Sequence, residues 1–72
     1  MVELVKYMVT ALVDNKDEVS VTEDGETVRV KVAKDDIGKV IGKQGRIIKA
    51  IRSVVKAASV KSGKNYSVEV DE

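Results

Sequence analysis

Four residues near the middle of the chain, Gly42-Lys43-Gln44-Gly45, restrict the possible folds more than any other stretch. Two short apolar runs with helical spacing flank them, Ile37-Gly38-Lys39-Val40-Ile41 before and Arg46-Ile47-Ile48-Lys49-Ala50-Ile51 after. Glycine at both ends of a turn lets the backbone take positive φ and lets a ligand approach bare peptide groups. The first amides of the helix leaving the turn lack intrahelical partners. The helix dipole adds partial positive charge at that end. Lys43 supplies a point charge, Arg46 and Lys49 extend the basic track, and Gln44 can donate or accept. This pattern suits a clamp for backbone phosphate. Taken alone, it also suits a plain helix–helix turn with a solvated lysine.

The rest of the chain is expected to build a scaffold for that corner. Residues 2–14 predict an amphipathic helix, with Val2, Val5, Met8, Val9, Leu12 and Val13 at three- and four-residue steps and Asn15 as terminator. Leu4 and Ala11 widen its apolar face. Residues 18–23 and 27–33 predict a hairpin closed by a type I′ turn at Asp24-Gly25. That loop pairs Glu23 with Glu26, Val21 with Val28 and Val19 with Val30, which puts the valines on one face. Asp35 and Asp36 are placed to cap a short helix through Ile37, Val40 and Ile41 that stops at Gly42. Gly38 inside that helix marks close approach by a backbone, a side chain or a ligand. A long helix runs from near Gly45 to about Lys61, with Ile47, Ile48, Ile51, Val54, Val55 and Ala58 as its core stripe, and Gly63 stops it. Residues 65–71 predict a last strand. The order α-β-β-α-α-β, with a right-handed crossover through the helix pair, implies an α+β domain with a mixed three-stranded sheet and helices on one face.

Charge is unevenly distributed. Residues 34–64 hold nine basic and two acidic residues, a net of +7, and the remainder carries a net of −6. A basic half on a nearly neutral chain fits a local polyanion contact. With 72 residues there is room for one core only, and with no Cys or His there are no disulfides, zinc-finger sites, thiol nucleophiles or usual general base. A dimer is the remaining common support for so small a domain. No apolar run approaches the ~20 residues of a membrane span, and Glu3 and Lys6 interrupt any signal-like start. The lack of Cys fits a cytoplasmic setting. Gly38 and Gly42 enclose too few residues for a Walker A loop, and no Gly-x-Gly begins a dinucleotide fingerprint. Nothing spaces the Ser, Lys and carboxylates into a catalytic constellation, so no enzyme, cofactor or small-molecule substrate is expected. Tyr7 and Tyr66, the only aromatics, sit at positions compatible with the core.

The run Val40-Ile41-Gly42-Lys43-Gln44-Gly45-Arg46-Ile47-Ile48-Lys49-Ala50-Ile51 resembles the (V/I)-I-G-x-x-G-x-x-I-x-x-I core of KH domains. The element order resembles the type II, prokaryotic-style KH topology over essentially the whole chain. The resemblance implies binding of single-stranded RNA, about four nucleotides beside the G-x-x-G loop. It implies that Gly42, Lys43, Gln44 and Gly45 hold the sugar-phosphate backbone, and that Gly38 and Ile41 form the apolar floor under the bases. The family's basic loop residue is matched by Lys43, and the loop lacks the acids carried by relatives that have lost binding. Small stand-alone bacterial members also imply self-association or pairing with a larger KH-containing protein. An RNA chaperone or post-transcriptional regulator is the expected role.

The long helix carries a second signal. Lys49, Arg52 and Lys56 form one basic face, and Ala50, Ser53, Ala57 and Val60 form a stripe of mostly small residues that allows close helix–helix approach. The stripe is the expected dimer interface, although alanines are also simply good helix formers. Two other functions stay open: a protein-interaction module with a vestigial loop, and a helix-turn-helix DNA binder using the basic helix. The flanking strands and the glycine-bounded clamp argue against the latter.

Overall fold

The computed structural model describes residues 1–71. Six elements follow in the expected order: α1 (Val2–Leu12), β1 (Ser20–Asp24), β2 (Thr27–Lys31), α2 (Ile37–Ile41), α3 (Arg46–Ser59) and β3 (Ser67–Val70). The sheet order is β1-β2-β3, with β1 antiparallel and β3 parallel to the central strand. This is the mixed three-stranded sheet of a KH-like α+β fold. One sheet face carries Val28, Val30 and Val68, all essentially removed from solvent beneath the helices. The other carries exposed Arg29, Lys31 and Glu69, with Arg29 and Glu69 paired across strands at 3.9 Å.

The core is small and rich in valine. Val5 and Val9 of α1, Val40 of α2 and Val55 of α3 are fully buried against the sheet. Burial of each such side chain favours folding by roughly 1.5–3 kcal/mol before ordering entropy opposes it. On α3 the buried stripe is Ile48, Ile51, Val55 and Ser59. It is narrower than expected and rotated: Val54 is 44 % exposed and Ala58 lies in solvent. Ser59 enters the core because its hydroxyl donates to Lys56 O (3.0 Å), which satisfies the polar group locally.

Helix ends differ from the expectation in an instructive way. Asn15 does not terminate α1 with a left-handed turn; its φ is −92°, and the helix stops where Val13 turns extended. Lys16 Nζ instead covers the helix end, donating to Thr10 O (2.8 Å) and Val13 O (3.1 Å). Gly63 takes φ 69° after the last turn of the long helix, as a C-terminal stop requires.

The hairpin register also shifts. Val21 faces Val30 and Glu23 faces Val28, so the two-residue loop is Gly25-Glu26. A type I′ turn at 24–25 would need positive φ at Asp24; only Gly25 has it (61°), the φ pattern of a type II′ turn. The pairing moves by two positions along the partner strand, so the valines keep their face. The shift removes the expected Glu23–Glu26 repulsion. It also frees Glu26 to fasten β3: its carboxylate accepts from Asn65 N–H (2.9 Å) and its carbonyl from Ser67 N–H (2.8 Å).

Candidate nucleic-acid interface

α2 feeds directly into the glycine turn. Its last bond runs from Gly42 N–H to Gly38 O (2.8 Å), after which Gly42 takes φ 77°, ψ 173°. A Cβ there would lie 2.6 Å from Ile47 Cγ1 and 2.9 Å from Ile47 N, so only glycine fits. Gln44 (φ 58°, ψ 26°) and Gly45 (φ 72°, ψ 18°) are both left-handed, and α3 then begins at Arg46. Gln44 is the sole non-glycine with positive φ among the described residues. Holding such a residue left-handed costs roughly 1–2 kcal/mol.

The turn closes on itself with bonds from Gly45 N–H to Gly42 O (3.2 Å) and from Arg46 N–H to Lys43 O. The first amide of α3 is therefore already engaged inside the turn. The two closing bonds involve neither the N–H of Lys43 nor that of Gln44. Both of these residues are exposed.

The expected site residues come together at this corner. Gly38 lies exposed on α2 with open space where a Cβ would point, so no contact among the described residues explains it. Ile41 is half-buried beside it, and Arg46 and Lys49 project from the first turn of α3. Among the described residues no acid lies within ion-pair distance of Lys43, Arg46 or Lys49. Lys39 is different. It pairs with Asp14 and with Asp36 (3.6 Å), and the hydrogen bond to Asp14 raises its pKa above the ordinary lysine value.

Asp36 does not cap its own helix by a side-chain bond, contrary to expectation. Its carboxylate, 1 % exposed, turns away to the α1–β1 connection. There it accepts from Asn15 N–H (2.9 Å), Asn15 Nδ2 (3.1 Å) and Asp14 N–H (3.3 Å). The bond from the Asn15 backbone is the main cause holding this carboxyl below the usual carboxylate range. Burial opposes it, while the other two bonds and Lys39 assist.

Further along α3, Arg52 reaches the outer edge of β3, where its Nε and Nη2 both donate to Val68 O at 3.2 Å. Arg52 and Lys56 thereby line a groove against residues 65–69. Ala50, Ser53, Ala57 and Val60 are all exposed, Val60 by 74 %. Only Ala50 of the four lines the apolar groove between α1 and α3, whose other walls include Tyr7, Met8, Leu12, Ile47 and Val54. Tyr7 is not a core residue: it is 78 % exposed. Its position on α1, about 200° around the wheel from Val5, was the available signal. Nothing in the sequence marked the contact between Asp36 and Asn15.

Among the described residues no cluster of three or more His, Cys, Asp or Glu side chains could hold a metal, and no helix is long and apolar enough to cross a membrane. The KhpA/KhpB KH-domain model matches residues 2–70. The RNA-binding protein KhpA of Caldanaerobacter subterraneus subsp. tengcongensis is 53 % identical, the match covering 97 % of this chain and 99 % of that one. KhpA of Clostridium acetobutylicum is also 53 % identical with the same coverage, and that of Bacillus subtilis 46 % identical over 94 % and 89 %. These relatives are named as RNA-binding proteins and not as enzymes. No solved structure matches the chain.

Proposed function

Because the chain belongs to the KhpA/KhpB KH-domain family, we propose that it binds single-stranded RNA by gripping the sugar-phosphate backbone at the Gly42–Gly45 turn. The observation that carries this reading is the turn itself. It joins two consecutive left-handed residues, two exposed residues at Lys43 and Gln44, and three neighbouring cations with no acidic partner among the described residues. Gly42 and Gly45 hold the backbone in this shape, and the Lys43 and Gln44 amides meet phosphate. Lys43, Arg46 and Lys49 neutralise it. Gly38 and Ile41 offer a flat apolar floor on which a base packs. The turn and its flanking runs, residues 37–51, contain no aromatic residue, so base contacts there are aliphatic packing and hydrogen bonds and a single domain has weak sequence preference. Its role is that of an RNA chaperone or post-transcriptional regulator in the cytoplasm.

A Lys43→Asp, Gln44→Asp double variant tests the reading. Wild type should bind a single-stranded oligonucleotide with a log–log salt slope of about −2, given ~0.7 per phosphate and some three phosphates for four nucleotides. The variant should lose most of the affinity and of the slope. Equal binding by the two proteins would transfer the weight to a protein-interaction role.

A second contact is proposed for α3. Its exposed small-residue stripe and the neighbouring apolar groove suit another KH-domain protein, either a second copy of this chain or a larger KH-containing partner of the KhpB kind. Ala57→Glu and Ala50→Glu separate the two surfaces. Loss of self-association in sedimentation with Ala57→Glu places the contact on the stripe, and loss with Ala50→Glu alone places it on the groove. No change with either refutes both.

A further inference from the structure

A turn that grips phosphate needs fixed geometry, and α2 cannot supply that alone. It is five residues long, far shorter than an isolated helix stable in water. Its placement depends on tertiary anchors, and two are visible. Val40 is fully buried in the core near its end. At its start, the Asp36 carboxylate is tied to residues 14 and 15, more than twenty positions away in sequence. Lys39, one turn further along α2, reaches back to Asp14 and so grips the same connection again. The Gly42 N–H to Gly38 O bond makes the glycine turn continuous with this anchored helix.

We propose that Asp36 is a positioning residue for the RNA clamp: its buried carboxylate, held by the Asp14 and Asn15 amides and the Asn15 side chain, locks α2 to the α1–β1 connection and so sets the Gly42–Gly45 turn against α3. The chemistry demands an ionised carboxylate. Three N–H donors converge on the side chain, with a lysine beside them, so a donor on residue 36 would face backbone N–H groups that cannot accept it. Asparagine has the same shape, but its NH2 would replace an oxygen that accepts from a backbone N–H, and that bond would be lost. The side chain is withdrawn from solvent, so it does not touch the RNA. It acts through α2, and a shift of well under 1 Å in a binding constellation is enough to weaken it.

The proposal rests on the RNA-binding reading of the turn, and its test is chosen to separate the two. Asp36→Asn and the milder Asn15→Ala, which removes one donor from an exposed residue, are compared with wild type and with the Lys43→Asp, Gln44→Asp variant. Amide NMR spectra of the free proteins are recorded first, followed by titration with a single-stranded oligonucleotide of mixed sequence. Asp36→Asn should shift the Gly42 and Gly45 amide resonances in the free protein. It should weaken binding roughly two- to thirtyfold after correction for any unfolded fraction, the range for mutations that act on a site without touching its ligand. The salt slope should stay at the wild-type value, because no phosphate contact is removed. Asn15→Ala should move the same resonances less, and it carries the test if Asp36→Asn does not fold. A lower melting temperature with unmoved Gly42 and Gly45 resonances and unchanged affinity would overturn the proposal and leave Asp36 a general stabiliser. If wild type and the clamp variant bind RNA equally, the functional reading fails, and the free-protein resonances still decide whether Asp36 sets the turn.

Discussion

Gly42→Ala is the substitution on which the geometry makes its strongest demand. At φ 77°, ψ 173° Gly42 occupies a region that L-residues with a side chain rarely enter. Forcing alanine there costs roughly 1–3 kcal/mol in backbone strain. The new methyl would also stand 2.6 Å from Ile47 Cγ1 and 2.8 Å from Ile47 Cβ. Neither neighbour is the far end of a flexible chain, so Ile47 must move, which adds about 1–3 kcal/mol. The total, about 2–6 kcal/mol, compares with a whole-domain stability of roughly 4–11 kcal/mol for 72 residues. Gly45→Ala is the internal control. Its φ is also positive, but its methyl would meet only Ile48 Cγ2 at an ordinary 3.9 Å. Only the left-handed cost of about 1–2 kcal/mol remains. Urea unfolding followed by circular dichroism measures both. Gly42→Ala should lower the midpoint by a large fraction or leave the domain partly unfolded, and Gly45→Ala should lower it modestly. A Gly42→Ala penalty under about 1 kcal/mol, or one smaller than that of Gly45→Ala, would show that the turn does not adopt this geometry.

Other substitutions probe other parts of the account. Gly38→Ala puts a methyl into open space on a helix, so it should stabilise the domain by about 0.5–1 kcal/mol while weakening RNA binding; thermal melts and RNA titration should move in opposite senses. Acid should act through Asp36: its folded pKa lies below the unfolded value of about 3.9, so its contribution is complete above that pH and is lost as pH falls through the folded value. Urea midpoints between about pH 2.5 and 5 should therefore fall more steeply for wild type than for Asp36→Asn. Lys39 works in the opposite direction. Its raised pKa gives a contribution present below about 10.4 and lost as pH climbs through the folded value, so Lys39→Met should flatten the alkaline limb.

The architecture was legible because each element announces itself locally. Alternating valines predict β1, β2 and β3, the glycines at 42 and 63 predict where helices stop, and Gly45 predicts where the long helix starts. Side-chain detail was less legible, and the reasons are physical. The hairpin parity follows from one-sided burial, but the loop position depends on whether Asp24 or Gly25 leads the turn, and both satisfy the valine pattern. Ala58 lost its core position to Ser59 because a serine that bonds its own helix carries no penalty on burial, whereas hydropathy alone ranks alanine above it. Asp36 reads as an N-cap from sequence, since a carboxylate before a helix favours that role. Its real partners are Asp14 and Asn15, and long-range pairing of polar groups leaves no periodic trace. Tyr7 sits at a position read as compatible with the core, but the helical wheel places it opposite Val5 and Val9, and it is exposed. At the candidate site the reading was most complete where local geometry decides. Gly42, Gln44 and Gly45 form the left-handed corner that two bounding glycines imply, and Lys43, Arg46 and Lys49 project from it exposed.

The most direct measurement follows the backbone amides of the 15N-labelled protein as single-stranded RNA is added. The account predicts that the largest shifts fall on Lys43 and Gln44, with smaller ones at Gly38, Ile41, Gly45, Arg46 and Lys49, and that they shrink as salt rises. Shifts concentrated on the Tyr7–Val54 groove or on the outer face of the sheet, with Lys43 and Gln44 unmoved, would contradict it.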